Sequence, residues 1–364
     1  MDDDDARALR EAVRGLLEKR SDVRAAMEMP QGYDEDLWAT LCGQIGVAAL
    51  AVPEAYGGVG AGLGEVAVVL EELGRGLTPA PMLGSALCAY ALLLSGDEEA
   101  CSRWLPAIAE GTVAALAWAG EQGWSSLACT ASESIVDGEC RYRLDGTACY
   151  VLDGDIARLL VVLARAGDEV GLFEVDRDQV APRHTPGMDP TRRFAAIEFS
   201  GSPARRLGTA CYPIDRLRAL ALTMLSAEQV GLARRALELT VDYTRQRHQF
   251  GRPIGSFQAL KHRMADAHVR VEAARSASWA ALAAGSGTTD TVAPVDHAAA
   301  AVAKVVCSEA VELVTAEMIQ LHGGIAITWE HDAHLYFKRA YGSARLFGSV
   351  TEAIGSVEWL RPPH

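Results

Sequence analysis

Apolar positions recur at helical spacing from Asp2 to about Gly111, with one interruption. The interruption is Val52-Pro53-Glu54-Ala55-Tyr56-Gly57-Gly58-Val59-Gly60, too rich in Gly and Pro for a helix interior. Beyond it, Val66–Leu73 and Leu83–Leu94 return to the helical period. Between Thr112 and Pro213 the rhythm changes to short runs such as Cys140–Leu144, Leu159–Leu163 and Ala195–Phe199, punctuated by Gly, Asp and Pro. Those runs predict antiparallel strands. From Leu217 the pattern is helical again. Arg216–Gln246 contains no proline, and its first half is apolar almost all round, which predicts burial on several sides, as within an oligomer. The polar stretch Gly285–Asp296 predicts a loop. The resulting α+β division is an N-terminal helical domain over 1–111, a middle antiparallel β domain over 112–215, and a C-terminal helical bundle over 216–364.

Composition agrees with several packed units: apolar residues make up 49% of a 364-residue chain, more than one ordinary core needs. No stretch of about 18 to 20 residues is apolar and uncharged enough to cross a bilayer. The N-terminus reads Met1-Asp2-Asp3-Asp4-Asp5, opposite in charge to a signal peptide, so a cytoplasmic location is expected. The net charge of −14 repels nucleic-acid phosphates and anionic membrane surfaces, so neither is an expected partner. The eight cysteines are scattered without C-x-x-C pairs. They predict reduced, mostly buried thiols rather than disulfides or zinc, and no metal is expected.

Against this acidic background one basic segment stands out, Arg245-Gln246-Arg247-His248-Gln249-Phe250-Gly251-Arg252-Pro253-Ile254-Gly255-Ser256-Phe257-Gln258. Arginines beside a Gly-Pro turn can clamp a phosphate group. They can equally cap the negative end of a helix, and on the residues alone capping weighs more. Further on, Gln320-Leu321-His322-Gly323-Gly324 could bring backbone N–H groups to an anion, or simply turn the chain.

Together, R-x-x-F-G-x-P-I-x-x-F-Q and Q-x-x-G-G resemble the C-terminal domain of the acyl-CoA dehydrogenase family. Ala51–Gly58 is similar to its P-E-x-x-G-G loop, Trp104–Gly111 to its L-P-x-x-x-x-G lead, and Leu144-Asp145-Gly146 to its L-N-G turn. The resemblance implies FAD at a subunit interface, held by one β domain and completed by the neighbouring subunit. The residues matching that lent set are Arg247, Gln249, Phe250, Ile254, Gln258, Gln320 and Gly324.

The family's catalytic base is a Glu, within reach of the substrate's α-proton. In most members it stands 27 residues after the Gln of Q-x-x-G-G, which lands here on Phe347. In others it stands 29 residues before the Phe of R-x-x-F-G, which lands on Ala221. Neither can take a proton, so no catalytic residue is assigned. The flavin-facing T-E-P-G-A-G-S-D loop corresponds to Gly120–Leu127, with Trp124 adding bulk, and the K-x-W-I-T strand to Ala148–Leu152. Flavin-binding hydroxyls are thus lost at Gly120 and Leu152.

The lent half is kept and the receiving half degraded. That combination resembles the non-catalytic subunit of the α2β2 acyl-CoA dehydrogenases of actinobacterial steroid catabolism. It implies a homologous catalytic partner, a steroid-CoA or other acyl-CoA held mainly by that partner, and an electron-transfer flavoprotein as acceptor. Two alternatives remain. A homotetrameric enzyme could use Glu228 as a relocated base, although Glu228 reads more simply as a buried or interface carboxylate paired with Arg234 or Arg235. A structural homologue could lack flavin altogether. Glu121 and Glu352 read as solvated loop residues.

Overall fold

A computed structural model describes residues 3–136, 139–209, 211–284, 292 and 295–357. The expected polar loop over 285–296 therefore lies outside the described residues except at 292, 295 and 296.

The N-terminal part is helical: α1 (Asp3–Arg20), α2 (Val23–Glu28), α3 (Glu35–Thr40), α4 (Leu63–Gly76), α5 (Met82–Ser95) and α6 (Glu98–Ala109). Val13 and Leu17 of α1 are buried, and Arg14 clamps buried Glu72 of α4 through Nε and Nη2 at 2.8 and 2.7 Å. The Gly-Pro loop Val52–Gly60 contains a short 3₁₀ turn, Glu54–Tyr56, and another, Val47–Ala51, precedes it.

The middle part holds β1 (Ala114–Ala117), β2 (Ala119–Gly120), β3 (Gly123–Leu127), β4 (Cys129–Val136), β5 (Glu139–Leu152), β6 (Leu159–Ala166), β7 (Glu169–Val175), β8 (Arg183–Thr185) and β9 (Phe194–Leu207). The runs Cys140–Leu144, Leu159–Leu163 and Ala195–Phe199 lie in β5, β6 and β9. In β9, Ala195, Ile197 and Phe199 point inward in strict alternation, as a half-buried strand requires. The pairing is antiparallel except where β6 meets β1 and β4, which run parallel to it. Because β7 occupies the other edge of β6, strands β6, β4, β5, β9 and β7 close on themselves. Phe173, Leu144 and Leu163 fill the interior.

The C-terminal part begins with α7 (Ile214–Gln246), followed by a short hairpin, β10 (His248–Gln249) and β11 (Arg252–Pro253), then α8 (Gln258–Ala284), α9 (His297–His322), α10 (Ala333–Ser343) and α11 (Val350–Gly355). Every residue from Ala219 to Ala233 on α7 is buried. The burial is supplied within the chain. A Cβ on Gly231 would fall 1.8 Å from the Glu71 carbonyl oxygen, and one on Gly74 would fall 2.2 Å from that of Glu228. Helices α4 and α7 therefore touch backbone to backbone, with α9 packed on another side of α7. The all-round apolar character of α7 reflects this internal position and is no sign of an oligomer.

Candidate functional site

The residues singled out in the sequence fall in two regions, one exposed and one closed. The exposed region starts at the end of α7, where the Arg247 N–H caps the Tyr243 carbonyl at 2.8 Å. The chain then turns through the β10–β11 hairpin, with Phe250 (φ +52°) and Gly251 (φ +77°) at its tip. Positive φ at both central residues is the geometry of a hairpin type I′ turn, where Asn-Gly or Asp-Gly is usual. A Phe in that conformation costs on the order of 1 kcal/mol or more. Little burial offsets that cost: the ring is 91% exposed, and its one ring partner among the described residues is Phe257, edge-on at 6.1 Å. Arg247, Gln249, Gln258, Gln320 and Gly324 are also exposed, and Ile254 is half-buried. A Cβ on Gly324 would meet nothing within 4 Å, so no contact within the described chain requires a glycine there. Arg252 lies over the Phe257 ring at 4.0 Å, a cation–π contact that stiffens the hairpin base.

The closed region gathers the residues that sequence counting assigns to the flavin face and the base. Phe347 sits in a turn with φ +60°, followed by Gly348 at +117°. Its ring stacks on Trp118 at 5.8 Å and 15° and meets Trp124 edge-on at 5.1 Å. Trp118 and Trp124 are themselves perpendicular at 5.3 Å, and Tyr150 stands 6.4 Å beyond Trp124. Offset and edge-to-face pairs of this kind add about 0.5–1.5 kcal/mol each beyond the area they bury. The Arg218 guanidinium closes one side, 5.8 Å from the Trp118 ring and donating to the Trp124 carbonyl at 3.3 Å. Sequence reasoning missed Trp118. Its position two residues before Gly120 is the one signal that could have found it.

Below the plug, fully buried Lys304 donates from Nζ to the Leu346 carbonyl at 2.9 Å and the Ser343 carbonyl at 3.2 Å, holding the turn that carries Phe347. Burial pushes its pKa down to about 7. Ala221 is fully buried on α7. Glu352 caps α11, accepting from the Ser349 N–H at 2.7 Å, and this hydrogen bond lowers its pKa.

Glu228 is not paired with Arg234 or Arg235, which reach Glu71 and Glu238 instead. Its Oε1 accepts from Arg192 and, at 3.4 Å, from Arg339. Arg339 also pairs with Asp189 at 3.2 Å and donates to Thr191 Oγ1 and the Thr191 carbonyl. Sequence neighbours suggested one arginine. The fold brings others from 36 and 111 positions away. The cluster borders a small cavity of about 30 Å³, room for about one water. Asp153 also lines it, its pKa pushed up to about 7 by burial. Among the described residues no cluster fits a metal ion, and no helix is long and apolar enough to cross a membrane. None of the cysteines whose side chains are described is in a disulfide.

The chain thus joins a helical domain, a closed β domain and a second helical domain that presents an arginine hairpin. The profile of the acyl-CoA dehydrogenase N-terminal domain matches residues 3–112, and that of the C-terminal domain matches 220–350. The chain is 42% identical to acyl-CoA dehydrogenase IpdE2 of Mycobacterium tuberculosis over 97% of both chains. It is 41% identical to IpdE2 of Mycolicibacterium smegmatis over 96% of both. It therefore belongs to the acyl-CoA dehydrogenase family. Among solved structures it resembles a chain of a variant of the Tcur3481-Tcur3483 steroid acyl-CoA dehydrogenase, with TM-score 0.87, 31% identity and coverage of 98% and 97%. It also resembles a chain of the ChsE4-ChsE5 complex of Mycobacterium tuberculosis, with TM-score 0.86, 26% identity and coverage of 100% and 99%.

Proposed function

We propose that this chain is the non-catalytic subunit of a heteromeric, FAD-dependent acyl-CoA dehydrogenase acting on a steroid-derived acyl-CoA. In this reading it lends contacts to an FAD seated in a homologous partner. The observation that carries the proposal is the contrast between the two regions. The chain's own flavin side is filled by Trp118, Trp124 and Phe347, so its residues do not fit a flavin there. The hairpin residues fit the lent half: Arg247 is free to meet a pyrophosphate and Phe250 to pack on an apolar cofactor face. Two solved relatives are steroid-related or two-component assemblies, which supports a partner subunit and a steroid-type substrate.

Bound FAD would accept the β-hydride of an acyl thioester and pass its electrons to an electron-transfer flavoprotein. This chain would contribute charge neutralisation by Arg247, polar contacts by Gln249, Gln258 and Gln320, apolar packing by Phe250 and Ile254, and open space at Gly324. The α-proton would be removed by a carboxylate of the partner, because this chain offers Phe347 and Ala221. A homotetramer with Glu228 as base is disfavoured by the two guanidinium groups that already hold that carboxylate.

Native mass spectrometry tests the assembly: two copies of each subunit with two FAD are expected. Four flavins, or a flavin-loaded homotetramer of this chain, would end the proposal, and a colourless complex would favour a structural role. Within the complex, Arg247→Ala should weaken FAD retention by roughly tenfold or more, the scale of a lost charge-assisted contact. Flavin absorbance after desalting measures it, and unchanged occupancy would rule out lending by this hairpin.

A further inference from the structure

The two lent segments come from different helices, and one ring joins them. The His322 ring stacks on Tyr243, one turn before the Arg247 cap, at 4.2 Å and 23°. The Tyr243 hydroxyl donates to the His322 carbonyl at 3.2 Å. His322 Nδ1 lies 2.8 Å from the Met318 carbonyl, so Nδ1 carries the proton. Its Nε2 is buried and has no hydrogen-bond partner among the described residues. Gly323 and Gly324 follow directly, both exposed.

We propose that His322 is a positioning residue whose neutral ring ties the Arg247–Gln258 hairpin to the Gln320–Gly324 turn, so that both present to the flavin as one surface. The inference rests on the lending reading above. The titratable groups facing the ring are Tyr243 from α7 and His331 from the turn after α9, whose ring centre lies 4.7 Å away. Among the described residues no carboxylate pairs with it. A proton on Nε2 would thus create a buried donor with no acceptor among the described residues, beside a second imidazole.

Burial, with a smaller contribution from His331, lowers the His322 pKa below its ordinary value. A histidine whose folded pKa is depressed holds the structure fully above about pH 6.5, its unfolded value. Its contribution falls away as pH drops through that value and then the folded one. Flavin retention by the complex should fall on the acid side accordingly.

The test measures FAD retained by the complex after desalting, from about pH 8 to about pH 5, a range that brackets an ordinary histidine, with native mass spectrometry confirming intact assembly. His322→Asn keeps a donor for the Met318 carbonyl but neither stacks nor titrates. It should lower FAD affinity about tenfold and abolish the acid limb. Tyr243→Phe keeps the stack and should keep the acid limb. NMR of the isolated chain should place the His322 imidazole below about pH 6.5, the ordinary value. Wild-type affinity and acid limb in His322→Asn, with a loss in Arg247→Ala, would overturn the positioning role alone. No loss in Arg247→Ala would overturn the lending reading and this inference with it. An imidazole titrating at or above that ordinary value would overturn the neutral-ring mechanism.

Discussion

Replacing Glu228 with alanine should cost the isolated chain about 3 to 5 kcal/mol, because it strands buried charge. Glu228 is 5% exposed and meets Arg192 and Arg339, whose side chains are 6% and 7% exposed. Arg339 would keep Asp189 and Thr191, but Arg192 has no other carboxylate contact among the described ion pairs. Burial already lowers the Arg192 pKa, with Glu228 the main influence opposing that fall. Against a total stability of about 5–15 kcal/mol for an ordinary domain, this loss should move the urea midpoint far to the left. Glu228→Gln keeps the shape without the charge and should also destabilise. A wild-type midpoint for Glu228→Ala would mean that the ion cluster contributes little.

Much of the architecture is legible in the sequence because it follows local periodicity. The period-2 run Ala195–Phe199 forms part of β9, and the proline-free stretch Arg216–Gln246 lies in α7, which starts at Ile214. What escapes depends on residues far apart in the chain. The closure of the β strands rests on β6 pairing with β7 on one side and, in parallel, with β4 on the other, and no local pattern encodes the parallel pairing. The apolar surface of α7 points to an oligomer when read alone, whereas α4, through glycine-level contact, and α9 bury it within the chain. The hairpin reads only as a turn, since Phe-Gly lacks the Asn-Gly signal of a type I′ turn. The family motifs single out the residues proposed to be lent because, within each motif, those sit close together in sequence. The plug is readable at Phe347 and Trp124 but not at Trp118, whose role emerges only where three segments meet.

Replacing Phe347 with glutamate should leave the isolated chain colourless and its dehydrogenase activity at background. The new carboxyl would stand where a ring now stacks on Trp118 and meets Trp124 edge-on. Phe347 is 8% exposed, so the carboxyl would be largely desolvated and its pKa raised, making it a poor ion in the resting chain. Its backbone would still need φ near +60°, with Lys304 holding the preceding carbonyls. Restoring the proton acceptor supplies one group, but Trp118 and Trp124 would still fill the flavin side, and Gly120 and Leu152 carry no hydroxyl. Loss of the stack should register in the near-ultraviolet circular dichroism of the two tryptophans. Flavin absorbance should stay absent, and an acyl-CoA with a dye acceptor should show no turnover above wild type. In the heteromeric complex the same substitution should leave two FAD per tetramer, because in the lending arrangement Phe347 faces no flavin. A yellow, active Phe347→Glu chain on its own would show that a single side chain, not a closed cavity, keeps this subunit from catalysis.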